Sequence, residues 1–509
     1  MNKKLKDILF QNKVVILFVF LCVGATIASK QPLTFVIPEL FTRIARNSFI
    51  VLSLIIPVIA GMGLNFGIVI GAMAAQIALF LTTYWGLTGI GGFLATAALA
   101  TPISVLFGYL VGKLFNHMKG SEMIGGLVLG YFAEGIYQFI FLFVFGGIIP
   151  MVNTKLMIPT GVGVKNTIDL KDTVETYLTQ DFTDLKDTVK YALDNVPMLT
   201  ILEVGFYLFL IGTVCSLAFK LAKKQEINWK KTGSTVAAAV VIYGISFIGP
   251  VERFLSADRL LLLSAVEICC LLTVIVQVVH LIKAKMAAKS EDAGEPFDTK
   301  KAIGYIAAAA VVYGLTYVPA LYKVLIMVKL PVMTYLCIAA LCVFNNVLLK
   351  TRLGQDMRTV GQSRAVANAS GINVDRTRII AMIFSTVLAS WGQLIFLQNV
   401  GTLSTYGAHT QVGQFAIAAL LVGGASVQKA TNKQALLGIV LFHTLFIVSP
   451  LAGKELFGDP VIGEYFRVFV SYGVIAMALA MHAWKKTAKP VEESEDQEEN
   501  NEGVNSMAG

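Results

Sequence analysis

The chain has 509 residues, 56% of them apolar and only 14% charged, with 41 Lys+Arg against 32 Asp+Glu for a net charge of +9. A soluble domain carries about 25% charged residues, and a core of this size could not hide so much apolar surface. That excludes a soluble enzyme, a nucleic-acid-binding module and a disordered scaffold, and with a mean hydropathy of +0.71 it predicts an all-α polytopic membrane protein.

A crossing helix needs about 20 apolar residues. In chain order fourteen segments are candidates: 14–28, 47–60, 65–84, 92–112, 122–149, 199–219, 233–249, 259–282, 302–319, 326–349, 379–398, 412–428, 434–449 and 466–484. The first follows a basic head (Lys3, Lys4, Lys6) and lacks a clear small-x-small cleavage site, so it reads as a spanning helix rather than a signal peptide. The second and third are separated only by Gly61-Met62-Gly63-Leu64, the pattern of one broken helix or a re-entrant piece. Unwound backbone at membrane depth is tolerated only where it faces protein or water, so such a break points to a path.

Between the fifth and sixth segments, residues 151–198 form a polar loop in which DLKDTV occurs twice, at Asp169–Val174 and Asp184–Val189. Leu170, Val174, Leu178, Leu185, Val189 and Leu193 recur near helical spacing and predict one or two amphipathic helices on the outer face. These are a plain surface feature or a platform for an extracytoplasmic partner. Residues 486–509, with Glu492, Glu493, Glu495, Asp496, Glu498, Glu499 and Glu502, predict an acidic, disordered cytoplasmic tail. Cations concentrate on alternate loops: the N-terminal lysines, Lys223/Lys224, Lys230/Lys231, Lys300/Lys301 and the cluster from Lys350 to Arg378. The positive-inside rule then places both termini in the cytoplasm of a multi-pass cell (inner or plasma) membrane protein.

Nothing predicts covalent chemistry. The sequence contains neither GxxxxGK[ST] nor HExxH, and the histidines are scattered: His117, His280 and His482 near inner helix ends, His409 in an outer loop, His443 inside a helix. The six cysteines (Cys22, Cys215, Cys269, Cys270, Cys337, Cys342) lie in apolar runs and read as small buried hydrophobes. No catalytic residue, metal site, cofactor or nucleic-acid partner is expected. Polar side chains at membrane depth are the candidates for a substrate path, because an unpaired polar group in hydrocarbon is costly: Asn65, Gln76, Tyr131, Glu134, Gln138 and Gln393. Glu134 and Gln138 are four apart, on one helix face. Each, taken singly, reads first as a packed structural group and second as a substrate contact, and Glu267 and Gln277 read as a pair within their own bundle.

The most informative loop is Lys350–Arg378, KTRLGQDMRTVGQSRAVANASGINVDRTR. Ser363 is placed to cap a short helix, small side chains let that helix seat closely against a partner, and Gly371 supplies a left-handed stop. The plain alternative is a positive-inside loop carrying an incidental interfacial helix. Through Arg352, Gly354, Arg358, Val360, Gly361, Ala367, Ala369, Gly371, Ile372, Val374 and Arg376 this loop resembles the coupling loop of the inner-membrane permeases of ABC importers for simple sugars, nucleosides and branched-chain amino acids. Ser121–Ala133 (SEMIGGLVLGYFA) is similar to that family's fifth helix, keeping Glu122, Ile124, Leu129, Tyr131 and Ala133. Gly413–Ser426 (GQFAIAALLVGGAS) and Asn65-Phe66-Gly67 match two further family stretches. Glu122 is closer to the nucleoside and simple-sugar branch. Gly130 replaces the family's Asn, and ASVQKATNK lacks the usual glycines.

The resemblance implies a ten-helix permease core with a four-helix insertion: first half 1–150, outer loop 151–198, inserted helices 199–319, second half 320–485 with the coupling loop at 350–378. It implies a translocation path for a nucleoside or simple sugar, driven by a separate ABC ATP-binding subunit. It also implies an extracytoplasmic substrate-binding protein or lipoprotein and a second permease subunit, identical or paralogous, in the same lipid bilayer. Ser363, Arg364, Ala365, Ala367, Ala369, Gly371 and Ile372 are the expected ATPase contact. The competing reading is an ion-coupled secondary transporter in which Glu134 or Glu267 titrates, for which the coupling loop has no use.

Overall fold

In hydrocarbon a backbone N–H or C=O has no water to bond, so a long apolar run folds as helix, where each group is bonded within its own segment. The computed structural model describes residues 13–118, 120–151, 156–158, 162–170, 189–223, 229–287 and 299–487, and within them helix dominates. The first half contains α1 (Lys13–Ala28), α2 (Leu33–Ser53), α3 (Ile55–Ile59), α4 (Ile68–Tyr84), α5 (Gly89–His117) and α6 (Glu122–Phe139), the last continuing as a π-helical stretch over Ile140–Ile148. After strand β1 (Thr167–Asp169) come α7 (Met198–Ala222), α8 (Trp229–Ile245), α9 (Gly249–Leu255), β2 (Arg259–Leu261) and α10 (Leu262–Ala287). Then follow α11 (Thr299–Thr316), α12 (Pro319–Met327), β3 (Lys329–Pro331), α13 (Val332–Leu348), α14 (Arg352–Gln362) and α15 (Arg364–Ala369). The chain closes with α16 (Val374–Val400), β4 (Thr402–Ser404), α17 (Ala408–Val422), α18 (Asn432–Phe457) and α19 (Pro460–Thr487).

Each of the fourteen apolar segments falls on a helix. Among the described residues seven helices are long and apolar enough to cross a membrane alone, or up to ten if three bent pairs each count as one span. Val14–Ala28, Ile68–Tyr84 and Ala408–Val422 are apolar but shorter. Helix α7 has no buried residue at all, and Tyr207, Leu208, Ile211, Val214 and Leu221 stand exposed along it. That is the surface of a helix solvated by lipid. The same reason corrects the reading of the cysteines: Cys22 is buried, whereas Cys215 and Cys269 are exposed on apolar helix faces that need no protein cover. Residues 184–188 of the second DLKDTV, Val174, Leu178 and Leu185 of the amphipathic pattern, and the acidic tail past 487 lie outside the described residues.

The chain divides into two compact units, one of Met1–Gln31, Arg46–Lys190 and Ile338–Gly509, the other of Pro32–Ala45 and Tyr191–Cys337. In the first, α16 packs on α4 and α5, and glycine sets the spacing. A Cβ on Gly71 would stand 2.7 Å from the Thr386 carbonyl oxygen, one on Gly108 2.7 Å from Ile383 Cα and one on Gly112 2.9 Å from Ile379 Cα. Small residues that let backbones approach are how membrane helices gain packing energy without a hydrophobic drive between them. Helices α17, α18 and α19 complete this unit with α1.

The second unit is built on an internal repeat. The segment α8-bend-α9-β2-α10 recurs as α11-bend-α12-β3-α13, each residue 70 positions on (260 to 330, for example). Ala237-Ala238-Ala239, Val241 and Tyr243-Gly244 match Ala307-Ala308-Ala309, Val311 and Tyr313-Gly314. The bends measure 88° and 87°. Ser246 Oγ donates to the Tyr243 carbonyl at 2.6 Å, and its equivalent Thr316 Oγ1 to the Tyr313 carbonyl at 2.6 Å. In both, a hydroxyl draws off a carbonyl at the helix end and a proline (Pro250, Pro319) starts the next helix, where its missing N–H is harmless. Strands β2 and β3 pair antiparallel as Arg259↔Pro331, Leu260↔Leu330 and Leu261↔Lys329. Equivalent residues pair at the centre and cross-pair on either side, so a local two-fold axis passes between Leu260 and Leu330.

Candidate functional site

Three consecutive side-chain caps shape the loop after α13. Thr351 Oγ1 accepts from Gly354 N at 3.3 Å, Ser363 Oγ from Val366 N at 3.3 Å and Asn373 Oδ1 from Arg376 N at 2.9 Å. Each satisfies an N–H that a helix start leaves open, and together they cut one polar stretch into α14, α15 and the start of α16. Helix α15 stops at Gly371, whose φ is +76°, while Ile372 N returns to the Ala367 carbonyl at 3.0 Å.

Of the expected ATPase contacts, Ala365, Ala369 and Gly371 are exposed and Ser363, Arg364 and Ile372 are half-buried. Ala367 is fully buried against Val360, Val374 and Ile372, so it seats the helix and offers no surface. Val366, 56% exposed, stands out on that face and carries no polar signal that would single it out in the sequence. Two residues before Ser363, a Cβ on Gly361 would overlap the Ile59 carbonyl oxygen, and one on Gly61 would stand 2.7 Å from Gly361 Cα. The loop therefore touches, backbone to backbone, the break between α3 and α4.

A buried ion cluster makes the second connection. Glu122, the first residue of α6, is 6% exposed. Its Oε1 accepts from Arg378 Nη2 at 2.6 Å and from Arg364 Nη2, and its Oε2 accepts the Gly120 N–H at 2.9 Å. Arg378, wholly buried in α16, also donates to the Phe115 carbonyl at 3.3 Å. One carboxylate thus joins α15, α16, the end of α5 and the start of α6. Glu122 stood in the sequence only as a match to a family pattern. Its two arginines were legible as part of the cation cluster, whereas their pairing needed the tertiary fold.

The six path candidates divide between two places. Tyr131 and Glu134 line one groove with Phe66, Gly130, Thr410 and Gln414, and Gln138 Nε2 donates to Glu134 Oε1 at 3.2 Å. Asn65, Gln76 and Gln393 are buried in the packing of α4 and α16 rather than lining that groove. Asn65 Nδ2 donates to Ser385 Oγ at 3.2 Å, tying the start of α4 to α16. Gln76 Oε1 accepts from His409 Nδ1 at 2.9 Å, and Gln393 keeps both amide atoms without a protein partner. His409 is not in an outer loop: it is the second residue of α17 and fully buried. The sequence misleads there because Gly407 and the polar Thr410 and Gln411 look like loop.

Apolar helices with lipid-type surfaces and a capped loop packed on a helix break are the features of a multi-pass membrane protein. The comparisons with known proteins agree. The profile of the family described as branched-chain amino acid transport system / permease component matches residues 233–479. The match opens inside the segment expected to be an insertion. The chain is 34% identical over 154 residues to the "Probable ABC transporter permease protein y4mJ" of Sinorhizobium fredii, covering 30% of this chain and 44% of that one. It is 29% identical over 153 residues to the xylose transport system permease protein XylH of Haemophilus influenzae, 30% of this chain and 38% of that one. It is 25% identical over 166 residues to the nucleoside ABC transporter permease protein NupB of Lactococcus lactis, 31% of this chain and 42% of that one. The alignments span less than half the length of these relatives. No solved structure matches the chain.

Proposed function

We propose that the chain is the permease subunit of an ABC importer, that it forms the translocation path for a nucleoside or a simple sugar, and that a separate ATP-binding subunit drives it. The observation that carries this is the loop Ser363–Ile372. Its exposed face stands on a buried Ala367, and its flanks reach the α3–α4 break through Gly361 and helix α6 through Arg364 and Glu122. A push on that face is transmitted to the two elements next to the groove. The protein needs only two packings of similar energy and a motor that binds one of them better.

In this reading Ala365, Val366, Ala369 and Gly371 meet the ATPase, and Tyr131, Glu134 and Gln138 line the path, with Asn65, Gln76 and Gln393 behind it. Both termini face the cytoplasm. An extracytoplasmic binding protein or lipoprotein delivers the substrate, and a second permease, identical or paralogous, completes the pore. Residues 199–319 form an accessory insertion in the permease chain. The test is uptake of labelled nucleosides and pentoses into proteoliposomes holding the full assembly. Uptake is expected only with ATP and is lost when the ATP-binding subunit carries a defective Walker A lysine. Uptake driven by an ion gradient alone would replace this reading with the secondary transporter.

A further inference from the structure

The repeat of the second unit reaches one helix further back. Helix α7 carries LTILEV from Leu199, and α10 carries LSAVEI from Leu263, so Glu203 is the equivalent of Glu267 at a spacing of 64. Both helix starts are held alike: Met198 N donates to the Ala257 carbonyl at 3.1 Å and Leu262 N to the Val328 carbonyl at 2.9 Å. A longer link between α10 and α11 than between α7 and α8 brings the spacing to the 70 that relates Tyr243 to Tyr313. Each copy thus has a carboxylate just inside its first helix and a tyrosine near the end of its second. The copies differ in what fills the space beside that tyrosine. In the first, the Phe206 ring lies on Tyr243, centroids 4.4 Å and planes 4° apart. The equivalent of Phe206 is Cys270, and there the second copy opens a groove of about 550 Å³ lined by Glu267, Cys270, Leu271, Val274, Ala309 and Tyr313. Ligand sites run to roughly 300–1,000 Å³. Phe247, edge-on to Tyr243 at 5.1 Å, has Tyr317 as its equivalent, whose hydroxyl lies 2.8 Å from that of Tyr313. The first copy is closed by its own ring; the second is open and more polar.

We propose that this groove binds a phospholipid whose headgroup ends in a primary ammonium, with Glu267, Tyr313 and Tyr317 receiving the ammonium and the apolar wall an acyl chain. The occupant comes from the bilayer. Ile268 and Leu271, at the lip, are exposed on a helix apolar enough to cross the membrane, so the groove opens to lipid. Glu267 lies five residues from the start of α10, roughly 7–8 Å along its axis. The headgroup layer is about 5–7 Å deep on each side, which puts the carboxylate where headgroups meet acyl chains. The charges are complementary. Among the described residues no cation pairs with Glu267, and no Lys or Arg lines the groove. Gln277, the expected partner, stands about 15 Å further along α10 and is out of reach. A carboxylate at this depth calls for a cation or water. The donors favour a primary ammonium over other headgroups: its three N–H groups meet the carboxylate oxygens and a tyrosine hydroxyl, and the Tyr313 face attracts the cation. A trimethylammonium has no N–H to give, and an anionic headgroup would meet Glu267 as a like charge. The inference needs the second unit in the membrane and is independent of what drives transport.

The experiment is native mass spectrometry of the full chain purified in detergent, titrated separately with dioleoylphosphatidylethanolamine, dioleoylphosphatidylcholine and dioleoylphosphatidylglycerol. The wild type is expected to bind the ethanolamine lipid about tenfold more tightly than either of the others. Glu267→Gln keeps the size of the side chain, removes its charge, and is expected to bring the three affinities together. Cys270→Phe installs the ring that closes the first copy while keeping the carboxylate. It is expected to abolish the preference as well, and it carries the test should Glu267→Gln not fold. Glu203→Gln removes the equivalent charge from the closed copy and is expected to leave the preference intact. Equal affinities in the wild type, or tighter binding of the glycerol lipid, would overturn the proposal. So would a preference that survives both Glu267→Gln and Cys270→Phe, or one lost equally in Glu203→Gln, which would trace it to general charge rather than to this groove.

Discussion

Glu122 accepts from Arg364, Arg378 and a backbone N–H in a site where Glu122 and Arg378 are buried and Arg364 is half-buried. Such a cluster stabilises little in net, because taking its charges out of water offsets their attraction, but removing one partner strands the others and costs about 3–5 kcal/mol. Glu122→Gln is therefore expected to lower the thermal unfolding temperature of the purified protein and to abolish uptake. The double variant Glu122→Leu, Arg378→Met removes both buried charges and should recover most of the stability. It should not recover uptake, because the link between α15 and α6 stays broken; full uptake by this variant would show that the cluster transmits nothing. Gly371 separates fold from function in another way. A Cβ there meets open space, yet φ is +76°, a conformation that costs a branched residue roughly 1–2 kcal/mol. Gly371→Val should leave expression intact and reshape the α15 stop, so uptake falls while the amount of protein in the membrane does not.

At the scale of elements, the break between α3 and α4 and the loop before α16 act as one device because glycine meets glycine. Gly361 lies so close to Ile59 and Gly61 that a single methyl group would overlap backbone. Gly361→Ala is expected to push α14 off the break, at about 1–3 kcal/mol of overpacking, and to cut uptake by more than half; unchanged uptake would show that the contact is not used. Much of this device was legible in the sequence. The GMGL interruption, the capping Ser363 and the stop at Gly371 are local signals, set by φ preference and by which short side chains reach an N–H. The ion cluster and the His409–Gln76 pair were not, since 242 and 333 residues separate their members and no local pattern encodes such contacts. The repeat of α8–α10 in α11–α13 escaped for a different reason. Apolar helices are written in few residue types, so a repeated pair keeps its bends long after its sequence has drifted into the common membrane vocabulary.

For the whole molecule the decisive quantity is the side of the membrane on which α15 lies. Helix α16 has 27 residues, which at 1.5 Å each gives roughly 40 Å, enough to cross the hydrocarbon layer. Its two flanks therefore lie on opposite sides, with Val366 just before one end and Ser404 just after the other, both exposed. Lys350, Arg352, Arg358, Arg364, Arg376 and Arg378 all fall at the α15 end, and cations in short loops favour the cytoplasm. In a background with the six native cysteines replaced, Val366→Cys should resist an impermeant maleimide in intact cells and react once the membrane is permeabilised. Ser404→Cys should react in intact cells. The reverse pattern would place α15 outside, where no ATP-driven subunit could reach it, and would leave the groove of Tyr131 and Glu134 to be driven by an ion gradient instead.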